Sequence, residues 1–316
     1  MPATRTLART RAARFKARIL VLEGAKRQYA SGVPYVLALC SAVLYGAADF
    51  LGGLASRAAS TVAVVVWTQA SGLLALILLL PVLPEASPSS ADMNWGLAAG
   101  VAGSAGVALL YRALAIGTMA IVAPTTAVCA VVVPAVASVW LGERPSLATV
   151  SGILVALVAI VLVSQQRVEA PAGDALHDRT RRLPPGLDLA LLSGVAIGFF
   201  FLFLAQTSDA AGLWPLLTAR GISVGLFGAI ALRQASLRMP ARILTIAVAC
   251  GVLDMFANAC YLMAVRGGPL TAVVTLSSLY PASTVMLARV VLRERFSGLQ
   301  AVGIAAALVA VVLIVS

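Results

Sequence analysis

An all-α integral membrane fold of ten transmembrane helices, arranged as two inverted five-helix repeats, is what this sequence predicts, and three features predict it. Of the 316 residues, 61% are hydrophobic and 11% charged, with mean hydropathy +0.99. A soluble domain carries roughly 25% charged residues, so the chain must live in lipid, where repeated spans are helical because lipid satisfies no backbone polar group. Second, the chain divides into ten apolar runs, most of them near the roughly 17–25 residues a spanning helix needs. Third, the sequence repeats: at a shift of 151, Gly117 falls on Gly268, Glu143 on Glu294, Arg144 on Arg295, Ser146 on Ser297 and Gly152 on Gly303. Apolar helices match one another by chance, but the Glu-Arg-x-Ser punctuation followed by a spaced glycine does not, and it marks an internal repeat.

In chain order, residues 1–32 form a basic tail, with Arg5, Arg9, Arg11, Arg14, Lys16, Arg18, Lys26 and Arg27 against Glu23 alone. Two readings stay open for it, a solvated tail and a patch for anionic headgroups; no small-residue cleavage site follows an apolar core, so it is not read as a signal peptide. The first repeat, 33–164, holds the runs Val33–Leu54, Thr61–Val82, Trp95–Ala115, Met119–Leu141 and Leu147–Val163. A polar linker, 165–186, contains His177 and the Pro184-Pro185 pair. The second repeat, 187–316, holds Leu187–Ala205, Leu213–Leu232, Ile243–Val265, Leu270–Ala288 and Leu299–Val315. An odd number of spans per copy turns the second copy upside down, the architecture of many secondary transporters with a midplane site between the halves. Gly96-x-x-x-Gly100 and Gly194-x-x-x-Gly198 have the small-residue spacing of close helix contacts, as do Gly152/Ala156 and Gly303/Ala307 at equivalent repeat positions.

Two five-helix halves with AIGTMAIVAP and LGERPS in the first, and VRGG, SSLYP and LRERFS in the second, resemble the EamA-like family of the drug/metabolite transporter superfamily. Asp254-x-x-x-Asn258-x-x-Tyr261 adds to the likeness, which covers about residues 33 to 316. The resemblance implies a multi-pass protein of the cell inner membrane with cytoplasmic termini. The Lys/Arg bias of the short loops opposes that orientation and the basic tail alone favours it.

Ionisable residues inside spans are expensive unless they face protein or water. Asp254 sits near the middle of its run, Arg220 about 10 Å into its helix, and Asp49 nearer an end. A pairing of Arg220 with Asp254 or with Asp49 is expected, with Asp254, as the principal ionisable residue, the favoured partner, either as a structural ion pair or as a substrate or proton site. Asn258 shares a helical face with Asp254 and Tyr261. Tyr45, Tyr111, Tyr261 and Tyr280 offer an apolar ring with a hydroxyl, suited to lining a path for an amphipathic solute. Pro134 and Pro281, inside apolar runs, are expected to break their helices, either to shape a cavity or as structural kinks. Glu143 and Glu294 read as helix-end carboxylates at the starts of the fifth and tenth helices, with a gate as the rival reading. The four cysteines read as small core residues.

The expected function is a secondary transporter, by resemblance an exporter, moving small organic metabolites or drugs by alternating access. A flippase for a lipid-linked headgroup is the alternative within the superfamily. The expected partners are a small-molecule substrate, membrane lipid and a proton as the candidate coupling ion, with no nucleic acid and no cofactor. A membrane-embedded enzyme is disfavoured: no intramembrane His, no nucleophile beside a base and no metal-ligand cluster is present.

Overall fold

The computed structural model describes residues 32–83, 85–140, 147–164, 184–204, 206–234, 237–267, 273, 276–277, 279–294 and 298–315. Their regular structure is helical: α1 Val33–Ala58, α2 Thr61–Leu79, α3 Ser90–Ile116, α4 Met119–Trp140 and α5 Leu147–Ser164, then α6 Leu187–Leu204, α7 Trp214–Gln234, α8 Ala241–Gly267, α9 Tyr280–Val291 and α10 Gly298–Val315. Six of these stretches are long and apolar enough to cross a membrane: Val33–Ala58, Thr61–Val82, Ser90–Ile116, Leu187–Leu204, Trp214–Arg233 and Ala241–Ala264. Met119–Val133 and Ala301–Leu313 are shorter apolar segments. Local signals set the ends. Pro34 occupies the first turn of α1, where no backbone donor is needed. Ser89 and Asp92 close a capping box that starts α3 five residues before Trp95, the start expected from hydropathy.

The ninth helix departs from expectation. Pro281 does not sit inside it; a turn at Leu279 breaks the run and Pro281 begins α9 in its first turn. A proline there loses no hydrogen bond, which is why the break falls just ahead of it. Pro134 does lie inside α4, whose helix continues through it. Glu143, Arg144, Ser146, Arg295, Ser297 and His177 lie outside the described residues.

The halves interleave. α1 packs on α8 and α9 of the second half, and α6 packs on α3 and α4 of the first. Equivalent positions make the same contacts with the halves exchanged. Gly100 abuts Ala219 while Gly251 abuts Thr68; Thr126 Oγ1 donates to Ala190 O at 3.2 Å while Ser277 Oγ donates to Ala38 O at 3.4 Å. A Cβ on Gly100 would lie 2.7 Å from the Ala219 backbone, so these glycines let helix axes approach closer than any larger residue allows. Equivalent helices meet each other too, α2 with α7, and α5 with α10 through Ala156, Ala159, Ala307 and Ala310.

The ends of the helices form two faces. On one, Arg57 at the end of α1 donates to Leu114 O at 3.3 Å and Gly117 O at 3.2 Å, at the end of α3. On the other, Asp92 at the start of α3 accepts from Ser208 N at 2.6 Å, just ahead of α7. The largest apolar cluster, around Phe50, Val64, Leu114, Met119 and Phe227, fills the side nearer Arg57. A smaller one, around Leu76, Leu204, Leu213, Leu216 and Met255, fills the opposite side.

Candidate functional site

Between the two apolar clusters lies a cavity of about 380 Å3, within the range of pockets that hold small organic molecules. Residues of α1–α4 and α6–α9 line it, together with Ser277 ahead of α9; among the described residues none from α5 or α10 does. It reaches from mid-helix, at Tyr45, Asp49 and Gln69, toward the face that holds the starts of α3 and α7, at Leu202 and Leu216. The lining is mostly apolar and aromatic, with Phe200, Phe201 and Leu110 beside a few polar groups.

Three charged side chains reach the cavity among its described lining residues: Asp49, Arg220 and Asp254. Asp254 stands at the midpoint of α8, where its Oδ2 meets Arg220 Nη2 at 2.5 Å. The guanidinium is spoken for on its other arm too, since Nη1 donates to Gln69 Oε1 at 3.0 Å. Gln69 and Arg220 are repeat equivalents, so the pair bridges α2 and α7 where the halves meet. Space for the guanidinium comes from Gly72, whose missing side chain Arg220 Nη1 occupies. Asn258, one turn beyond Asp254, donates Nδ2 to Asp254 O at 2.7 Å and to Oδ2 at 3.4 Å. Burying an ion pair this way keeps both charges off lipid.

Asp49 is differently placed. It lies one turn from Tyr45 on the same face of α1, and its carboxylate makes no hydrogen bond or ion pair with the described residues. The Tyr45 hydroxyl is buried and also lacks a partner. The Tyr45 ring sits edge-on to Tyr280 with centroids 6.2 Å apart, and Tyr261 packs against Phe201 at 5.9 Å. Of the expected aromatic lining, Tyr45, Tyr261 and Tyr280 therefore meet at the cavity. Tyr111 does not: it is 3% exposed in the core, its ring filling the space over Gly52 and its hydroxyl 3.1 Å from Cys250 Sγ. Cys250 is the buried cysteine; Cys40 is exposed on α1 rather than in the core.

Sequence reasoning did not pick out Gln69 or the Ser104–Ser223 hydrogen bond across α3 and α7. The signal for Gln69 was present, since an amide aligned with an in-span arginine is a polar residue at an equivalent depth. Ser104 and Ser223 are not repeat equivalents, and small hydroxyls in spans carry no signal of their own.

Glu294 takes a role other than capping its own following helix. Its carboxylate accepts from Met119 N and Ala120 N at 3.2 Å each, the first turn of α4 in the other half, and from Arg57 Nη2 at 3.2 Å. The turn that aims it follows α9 through Arg293 in the left-handed region at φ 55°, with Glu294 N donating to Ala288 O at 3.3 Å. The carboxylate does meet a helix N-terminus, where the dipole favours it; the tertiary fold supplies a different helix from the one next in sequence.

A comparison with curated proteins finds no match. The model of the EamA-like transporter family matches twice, at residues 33–165 and 184–316. With nearly the whole chain from residue 33 covered, this multi-pass membrane protein, of drug/metabolite transporter type, belongs to the EamA-like transporter family.

Proposed function

We propose that the chain is a secondary transporter that exports small organic metabolites or drugs across the inner membrane, by alternating access of two inverted five-helix repeats. The observation that carries the reading is the cavity between the interleaved halves, which gathers the mid-helix charges Asp49, Arg220 and Asp254 around one drug-sized space. Intramembrane ionisable residues mark solute or ion paths by default, and a midplane site between repeats is the arrangement such carriers use. The exchange of contacts between equivalent positions supports two states related by swapping the roles of the halves. A proton is the candidate coupling ion, with Asp254 and Asp49 as its candidate carriers.

The contact that holds one face shut is Arg57 with Glu294 and the start of α4, joining the two halves beside the larger apolar cluster. The cavity lies toward the other face, where α1 begins and α10 ends. With cytoplasmic termini, that geometry suits loading from the cytoplasm and supports export. Arg57→Cys with Glu294→Cys, in a chain whose native cysteines are replaced, tests the cycle. Cross-linking the pair in proteoliposomes should abolish solute movement, and reduction should restore it. Full transport with the cross-link in place would overturn alternating access through this face.

A further inference from the structure

We propose that the cavity recognises an amphipathic organic cation, with its positive group seated on Asp49 beside the edge-on ring pair of Tyr45 and Tyr280. Charge balance leads to this. The described lining holds two carboxylates and one guanidinium, and Asp254 and Gln69 already occupy both arms of that guanidinium. Arg220 therefore offers little to an anion, whose approach Asp49 also opposes. Among the described residues no cation pairs with Asp49, since the arginine in the lining is taken by Asp254. A mid-helix carboxylate without a partner is the group a bound cation would satisfy.

The aromatic setting agrees. Tyr45 lies one turn from Asp49 and contacts Tyr280 edge-on, and all three line the cavity, so an ammonium at the carboxylate has π systems close by to add cation–π attraction. The Tyr45 hydroxyl, without a hydrogen-bond partner among the described residues, is a second polar group buried at the cavity wall. Beyond this corner, Phe200, Phe201 and Leu216 continue the lining as an apolar wall for the rest of the molecule. A space of about 380 Å3 admits an aromatic amine or quaternary ammonium of drug size.

The proposal rests on reading the cavity as the transported molecule's site, so binding and transport are measured separately. The probe is benzyltrimethylammonium, compared with its neutral isostere neopentylbenzene and the anion benzylphosphonate, on the purified full chain. The cation should bind and raise the unfolding midpoint, while the neutral and anionic probes bind about tenfold more weakly or not at all. Asp49→Asn should weaken the cation by about tenfold or more, with Asp49→Glu retaining it. Equal binding of all three probes, or cation binding untouched in a folded Asp49→Asn variant, would overturn the proposal. Should Asp49→Asn fail to fold, the order of the three probes on the wild-type chain decides. If the cation binds through Asp49 yet no probe crosses vesicles and the cross-linking test fails, the transport reading falls and the cation site stands. If vesicles move neutral or anionic solutes in a cross-link-sensitive way without cation binding, transport stands and the cation site falls.

Discussion

Removing the charge of Asp254 should destabilise the protein, and neutralising Arg220 as well should restore most of the loss. The Arg220 side chain is 7% exposed and that of Asp254 23%, so water screens the pair weakly. Leaving one member of a buried pair alone costs about 3–5 kcal/mol. Asp254→Asn is expected below that range, at about 2–3 kcal/mol, because an amide oxygen still accepts one bond and Gln69 Oε1 keeps Nη1 satisfied. Arg220→Met should fall inside it, about 3–5 kcal/mol, since the stranded carboxylate keeps only the 3.4 Å contact from Asn258 Nδ2. The double variant, with no stranded charge, should lie within about 1 kcal/mol of wild type, a coupling of at least about 4 kcal/mol. Reversible unfolding in mixed micelles, followed by tryptophan fluorescence, measures all four corners of the cycle. Strictly additive effects, or single variants within about 0.5 kcal/mol of wild type, would refute a buried pair of this kind.

Glu294→Gln should destabilise by about 1–2 kcal/mol, because it removes a charge that satisfies two backbone donors at the start of α4 and one guanidinium arm; the same unfolding assay reads it, and a neutral result would show that Arg57 and α4 do not depend on the carboxylate. Gly251→Ala puts a Cβ into the Thr68 carbonyl across the α2–α8 contact, so about 1–3 kcal/mol and lower folded yield on size-exclusion chromatography are expected; wild-type yield and midpoint would show that these helices separate freely. Arg293→Gly should stabilise by about 0.5–1 kcal/mol, since glycine adopts φ 55° without a Cβ penalty although its unfolded chain is freer; a lower midpoint would mean that the Arg293 side chain holds the turn.

What the sequence determined alone follows from rules that act along the chain. Charge scarcity and run length made it a membrane protein, and the Glu-Arg-x-Ser punctuation revealed the repeat because polar residues in a lipid-facing chain are few and placed. The pairing of Arg220 with a carboxylate was legible for the same reason: a charge inside a span must find an answer. Depth favoured Asp254 as that carboxylate, but the geometry that leaves Asp49 aside was not legible. Arg220 takes Asp254 and leaves Asp49 because α2 and α8 cross closely at Gly72 and Gly251, and the Arg220 side chain from α7 reaches into the gap at Gly72, which only the packed helices create. Tertiary contacts likewise put Tyr111 in the core, gave Glu294 to α4 instead of α10, and set the break of the ninth run just before Pro281. The physical reason is that lipid and protein core are equally apolar, so a membrane helix is hydrophobic all round and its sequence does not say which face meets protein. Depth in the membrane is written in the sequence; azimuth around each helix is decided by small residues meeting across the fold.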